Sequence, residues 1–302
     1  MIFTCLGAVG ARSVLEVGAS HGDFTGALLD WAAGSGASVS AVDPTPAPEL
    51  LALAERHPEL DLVRETSHDA LGRAGGYDAI VIDGDHNYYT VSEDLRLIDQ
   101  GTAGGGFPLV LLHDLGWPHG RRDSYYAPDR IPERSRQPLA HNAFLDPEER
   151  GIADGGLLVE WAAKREGGAR NGVRTAVEDF VSEHEGLRLA IVPAFFGLGV
   201  LWHSDRPTSA ELERILEPLD DAPLLRRLEE NRVLKQVEWA RCFRAKRAEE
   251  QRMRAQEELL RALLQSRSLT WIERLSRIGG RGRSPLSRDR IRSVLRGPTE
   301  GG

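Results

Sequence analysis

The stretch Val14-Leu-Glu-Val-Gly-Ala-Ser-His-Gly22 reads as a buried strand that ends in a carboxylate, Glu16, and two glycines, Gly18 and Gly22. Phe24, Leu28 and Trp31 follow at helical spacing, so the strand leads through a tight turn into an amphipathic helix. Strand, glycine turn and helix are how a parallel α/β sheet exposes its backbone to a nucleotide-like ligand. The spacing is Glu-x-Gly-x-x-x-Gly, with Ala19 and Ser20 where a dinucleotide enzyme needs a glycine to seat a pyrophosphate on the helix N-terminus. The turn therefore suits a ligand without a phosphate and disfavours a nicotinamide dehydrogenase. Asp43 follows the apolar run Val39–Val42 and would stand at the tip of a second strand, where it can accept both hydroxyls of a ribose. Glu16, Gly18, Ser20, Gly22 and Asp43 thus outline an adenosine pocket, with any α/β crossover turn as the plainer alternative.

Outward from this stretch, strand and helix patterns alternate at short intervals through residue 115, which argues for a parallel sheet. Strands are predicted near 13–18, 38–42, 61–64, 78–82 and 107–112, with helices starting near Gly22, Glu49 and Tyr88. Residues 116–160 break the alternation with Pro, Gly, Arg, Asp and Tyr; placed after a strand's C-terminal end, they read as a substrate lid. A helix at 171–184 and strands at 187–192 and 195–203 then resume the domain, the last pair being joined closely enough for an antiparallel edge. The fold expected is a Rossmann-like, doubly wound α/β domain over residues 1–205, with a mostly parallel seven-stranded sheet and one antiparallel edge strand. A helical extension over 206–265 opens on Thr208-Ser-Ala-Glu211, which has capping-box spacing, and a basic tail over 266–302 is predicted to be disordered.

Two further clusters sit on strand tips. Asp83-Gly-Asp85-His86 follows the apolar Ala79–Ile82, and His113-Asp114 follows the next strand. In an open sheet these tips are neighbours, so Asp83 and Asp114 can approach closely enough to share a divalent cation. Two carboxylates with room for water and substrate oxygens suit Mg²⁺ better than Zn²⁺. A helix N-cap made by Asp85, and a strand-end acid satisfied by backbone amides, are the plainer readings of the same residues. Arg121, Arg122, Tyr125 and Tyr126 in the insertion are candidates for acceptor contacts, or for a lid that packs on itself.

Residues 13–203 resemble a class I S-adenosylmethionine-dependent methyltransferase: Glu16–Gly22 resembles its first motif and Asp43 its ribose-binding acid. Asp83-Gly-Asp-His86 paired with His113-Asp114 resembles a narrower metal-dependent O-methyltransferase group, which includes the macrolide sugar methyltransferases and cephalosporin-hydroxylase-like proteins. The resemblance implies S-adenosylmethionine as cofactor, with Asp83 also beside it, Mg²⁺ held by Asp83 and Asp114, and His86 as base. It implies O-methylation of a hydroxyl of a saccharide or glycosylated metabolite. The insertion Trp117–Tyr126 does not follow the antibiotic enzymes, and no third metal ligand is assigned.

Composition limits the rivals. Apolar content of 41% against 28% charged residues fits a folded globular chain without an apolar run long enough to span a bilayer. Cys5 and Cys242 give neither zinc spacing nor a disulfide framework, so a reducing cytoplasm is expected, and the N-terminus lacks the basic region of a signal peptide. The net charge of -8 and the absence of a basic stripe with interleaved aromatics on the body argue against nucleic acid as substrate. The alternatives that stay open are a metal-independent small-molecule methyltransferase and a non-catalytic methyltransferase-like scaffold. The helix carrying Trp239 and Phe243 is a candidate surface for homo-oligomers.

Overall fold

The computed structural model describes residues 1–73, 75–102, 106–278 and 287–296. The chain begins with α1 (Ile2–Val9), β1 (Ser13–Val17), α2 (Asp23–Ser35), β2 (Ser38–Val42) and α3 (Pro48–Arg56). Next come β3 (Asp61–Val63), α4 (Ser67–Leu71), β4 (Ala79–Ile82), α5 (Tyr88–Gly101) and β5 (Leu109–Leu112). The insertion holds β6 (Leu139–Asp146), β7 (Glu149–Ala153) and β8 (Leu157–Ala163). Then follow α6 (Val173–Glu183), β9 (Leu187–Val192), β10 (Leu198–His203), α7 (Ser209–Leu216), α8 (Pro223–Gln265), α9 (Arg267–Ile278) and α10 (Arg288–Arg296). Two compact units emerge, residues Met1–Glu238 and Trp239–Gly302.

The main sheet has the order β3-β2-β1-β4-β5-β10-β9. The first five strands are parallel, while β10 runs antiparallel to both β5 and the outermost strand β9. This is the doubly wound, mostly parallel sheet with an antiparallel edge that the alternation predicts. Its central strands are buried on both faces, which is why they are written as unbroken apolar runs. Side chains alternate between two apolar clusters: Val14 with Leu28, Val39 and Leu109 on one face, Leu15 and Val17 with Ile80 and Val110 on the other. The chain winds outward from β1 through β2 to β3, then returns to place β4 on the opposite side of β1. That reversal opens a crevice above the C-terminal ends of β1 and β4, where open α/β sheets bind ligands.

The structure adds to the sequence expectations, or departs from them, at four places. The N-terminal apolar run is a helix, α1, closed by Gly10 in the left-handed conformation, with Phe3 stacked on Phe24 at 5.8 Å. Thr208 precedes α7 without a side-chain capping bond; Ser209 Oγ instead accepts from the buried Trp202 indole at 3.0 Å. The insertion contains a three-stranded antiparallel sheet of order β7-β6-β8. In the basic tail, α9 and α10 are helical where the composition predicts disorder, because each has an apolar stripe whose Leu269 or Ile291 is buried. The Gly-Gly-Arg-Gly-Arg-Ser-Pro run on which that expectation rested lies outside the described residues.

Candidate active site

A cavity of about 690 Å³ occupies the crevice. The turn after β1 supplies Val17, Gly18, Ser20 and His21, and the tip of β2 supplies Asp43. The loop after β3 adds Thr66 to Asp69, β4 ends in Asp83 at the same place, and Tyr126 and Arg130 of the insertion also line the cavity. Gly18 is required for this closeness. Its φ is 91°, and a Cβ on it would collide with the Asp83 backbone carbonyl. Ser20, with φ of 47°, presents its amide to Asp43, whose Oδ2 accepts that N–H at 2.7 Å while Oδ1 accepts from Thr45 at 2.8 Å.

Glu16 and Gly22 stand outside the cavity lining. Glu16 is buried behind it, where its Oε2 accepts from Thr25 Oγ1 of α2 at 2.6 Å. Burial pushes its carboxyl up to about 7, with the Thr25 bond opposing and the charges of Asp83 and Asp43 adding to the shift. Gly22 adopts φ of 85° at the start of α2, packed against Leu50 and Leu53. Both residues shape the turn; Gly18, Ser20, Asp43 and Asp83 face the space it encloses.

Beside Asp83 the structure gathers a second group. Asp83, His86 and Asp114 each offer a ligand atom, and these atoms lie within 4.8 Å of one another. Asp114 sits just past β5 with φ of 66°, a strained position that aspartate tolerates better than most residues. His86 Nδ1 is 3.1 Å from Asp114 Oδ2, and its Nε2 is 3.3 Å from the Tyr126 hydroxyl. His119 of the insertion stacks on the His86 ring at 4.7 Å and pairs with Ser124 Oγ at 2.9 Å. Burial and the neighbouring His86 hold His119 well below the usual imidazole range, so it stays neutral.

His113 Nδ1 lies 3.3 Å from both Asp83 Oδ1 and Asp114 Oδ1. Burial opposes charge on this ring, but the contacts with Asp114 and Asp83 outweigh it and push the imidazole up to about 10. Asp114 is held down to about 2: burial disfavours its charge, and the histidines around it, His113 first, more than restore it. The site is thus two carboxylates among three imidazoles.

Several side chains serve other purposes than their types suggest. Asn87, not Asp85, caps α5, its Oδ1 accepting from Thr90 at 2.8 Å. Asp85 instead fixes the insertion, accepting from the Tyr126 amide at 3.0 Å. Arg122 and Tyr125 are buried and Arg121 pairs with Glu178, which leaves Tyr126 as the member of that set lining the cavity. His119 and the loop Thr66–Asp69 carried no strand-tip signature in the sequence. The usable signal was Thr66-x-x-Asp69, in which Thr66 Oγ1 accepts from the Asp69 amide at 3.3 Å to start α4.

Residues 15–115 match a family model described as a methyltransferase domain. The matched stretch runs from β1 to just past β5 and spans 101 of the 302 residues. No curated protein matches the chain. Among solved structures, the S-adenosylhomocysteine-bound methyltransferase PaMTH1 of Podospora anserina is 13% identical, covering 68% of this chain and 76% of its own, with a TM-score of 0.41. A methyltransferase from Geobacter sulfurreducens is 10% identical over 67% of this chain and 76% of its own, with a TM-score of 0.38. No helix among the described residues is long and apolar enough to cross a membrane.

Proposed function

We propose that the chain transfers the methyl group of S-adenosylmethionine to a hydroxyl oxygen of a saccharide or similarly hydroxylated small molecule. The observation that carries this reading is the His86–Asp114 pair, which lies against Asp83 and Tyr126 of the cavity lining. With Nδ1 held by Asp114, His86 turns Nε2 away from the carboxylate as the nitrogen free to accept a proton, 3.3 Å from the Tyr126 hydroxyl. In this reading Gly18 and Ser20 present backbone to the cofactor, Asp43 holds its ribose, and Asp83 lies beside its reactive end. Glu16 and Gly22 support that turn from outside the cavity.

In the transfer, the acceptor oxygen attacks the sulfonium methyl in line, the C–S bond breaks, and a neutral thioether leaves. His86 Nε2 takes the hydroxyl proton, and Asp114 stabilises the imidazolium that forms. The methyl donor is already activated, so the chain's contribution is chiefly to position the acceptor and remove its proton. Asp83 and Asp114, with His86 near, are a hard, anionic donor set that fits a divalent cation such as Mg²⁺. When bound, such a cation would lower the pKa of the acceptor hydroxyl.

A second reading is favoured by His113. Its ring nitrogen already stands between the two carboxylates, and an imidazolium there balances their charge without a metal. The remaining elements of the proposal are a reducing cytoplasmic setting, supported by two unpaired cysteines, and self-association through α8, supported by the exposed Trp239 stacked on Phe243.

The first test is thermal melting with S-adenosylmethionine, S-adenosylhomocysteine or NAD, each with Mg²⁺ and again with EDTA. A ligand at about 100 times its Kd adds roughly 2.7 kcal/mol, a shift of about 5 °C or more at this size. Shifts with both methyl-cycle ligands and none with NAD are expected; no shift with either would sink the proposal. Transfer from labelled S-adenosylmethionine to a panel of sugars and catechols then separates the acceptor classes. Loss of transfer in EDTA, restored by Mg²⁺, supports the metal reading. Transfer unchanged by EDTA but lost in His113→Ala supports the second.

A further inference from the structure

The C-terminal unit has a charge opposite to that of the rest of the chain. Residues 239–302 hold 16 Lys and Arg against 7 Asp and Glu, a net charge of +9, whereas residues 1–238 sum to -17. Within this unit α9 is strongly two-sided. Leu269, Trp271, Ile272 and Leu275 fall on one broad arc of the helix, while Arg267, Thr270 and Arg274 fall on the opposite arc.

Among the described residues of α9, one edge of the apolar arc is buried. Arg288 of α10 donates to the Leu264 carbonyl at 3.2 Å and to Thr270 Oγ1 at 2.9 Å, tying α10 to the end of α8 and the polar side of α9. Leu269 is 3% exposed, but Trp271, Ile272 and Leu275 are 63%, 41% and 64% exposed. Val294 on α10 is exposed as well. Three large apolar side chains, one of them tryptophan, thus share an outer face that is flanked by arginines.

We propose that this face of α9 binds the surface of an anionic lipid bilayer. Trp271, Ile272 and Leu275 would enter the boundary between headgroups and acyl chains, and Arg267 and Arg274 would remain among the anionic headgroups. A helix with a wide apolar arc bearing Trp and Leu, and a cationic opposite arc, is stable lying in that interface. The net positive charge of the unit adds the long-range attraction to an anionic surface. A polyanion such as RNA would account for the arginines but not for the exposed apolar arc. A second copy docked face to face would bring together two units of +9. The bilayer satisfies both halves of the helix.

The test uses the full chain with sedimented vesicles of phosphatidylcholine alone, or with about 30% phosphatidylglycerol, at roughly 0.05 M and 0.5 M NaCl. At low salt the protein should partition at least about tenfold better onto the anionic vesicles, and high salt should remove most of that gain. Trp271→Glu combined with Leu275→Glu should lower the partitioning at least about tenfold, while the melting temperature and the S-adenosylmethionine-induced shift stay as in the parent. No partitioning onto anionic vesicles, or equal partitioning onto neutral ones, would overturn the proposal. So would loss of binding in Arg267→Glu/Arg274→Glu with full retention in Trp271→Glu/Leu275→Glu, which is the pattern of a polyanion site. Sedimentation velocity gives the last check: a dimer that the apolar pair of substitutions converts to monomer would make the face a subunit interface instead.

Discussion

The sheet and the insertion that overhangs it are held together by different physics. In the sheet, strand after strand is buried on both faces, and two large apolar clusters cover most of the domain. The insertion's own apolar cluster has only Ala143, Leu145 and Ala162 as buried members. Its order comes from buried polar groups. Arg122 is fully buried and donates to the carbonyls of Ala163, Arg150 and Gly151 at 2.7–3.1 Å. Asp123, also fully buried, accepts the amides of Tyr88 and Gly172 and the hydroxyl of Tyr125. Apolar burial tolerates exchange of one residue for another of like size, whereas a buried hydrogen-bond network does not. The cavity above β1 and β4 is therefore built largely on the tolerant part, and the surroundings of His86 on the exacting part.

The comparison predicts where single substitutions act. Gly18→Ala should have the largest effect, because it adds both a left-handed alanine and a collision with the Asp83 backbone where β1 meets β4. A loss of about 4 kcal/mol or more in urea unfolding is expected, together with loss of S-adenosylmethionine binding. A stable variant with unchanged affinity would show that the turn is not fixed by that approach. His86→Ala should leave stability and cofactor affinity within about twofold of the parent but lower methyl transfer about 10²–10⁴-fold. Turnover equal to that of the parent would remove His86 as the base.

Asp123→Ala probes the exacting region. It strands two buried amides and the Tyr125 hydroxyl, at a cost of about 3 kcal/mol. Because those partners lie in the insertion and at the starts of α5 and α6, hydrogen exchange should rise in residues 119–126 and 157–172 well before it rises in β1 and β4. Uniform acceleration across the sheet would mean that the two regions unfold as one.

The same division explains what was legible in the sequence. The strand tips Glu16, Asp43, Asp83 and Asp114 stand out because each ends an apolar run, and the parallel order brings those ends to one edge. The three-stranded sheet of the insertion was hidden, since β6 (Leu-Ala-His-Asn-Ala-Phe-Leu-Asp) mixes small and polar residues with its apolar ones. Its turns were nonetheless marked: Asp154-Gly-Gly156 joins β7 to β8, and Asp146 accepts from the Glu148 amide in the link between β6 and β7. His119 could not be found by pattern, because its stacking on His86 depends on how the Arg122 and Asp123 network folds the loop. Nor could the crowding of His113 between two carboxylates, which is a distance across two strands.

Glu16 gives the smallest effect and the sharpest test of the comparison, because it is a charged group inside the apolar region. Its folded-state pKa, about 7, lies above its ordinary value of 4.5, so between these values the folded chain holds the proton more tightly than the unfolded chain does. Stability attributable to this group is therefore greatest below about pH 4.5, declines as pH rises toward 7, and is at its lowest above that. Glu16→Gln removes the charge while leaving an oxygen to accept from Thr25 Oγ1. It should stabilise the protein by about 1–3 kcal/mol at pH 8 and by almost nothing near pH 4.5, as read from urea midpoints at the two values. Since Glu16 lies behind the cavity wall, S-adenosylmethionine affinity should change by less than about threefold, or roughly 0.6 kcal/mol. A destabilised variant at pH 8 would mean that the carboxylate is charged and paired in the folded state. A large loss of affinity without loss of stability would move Glu16 from supporting the turn to contacting the cofactor.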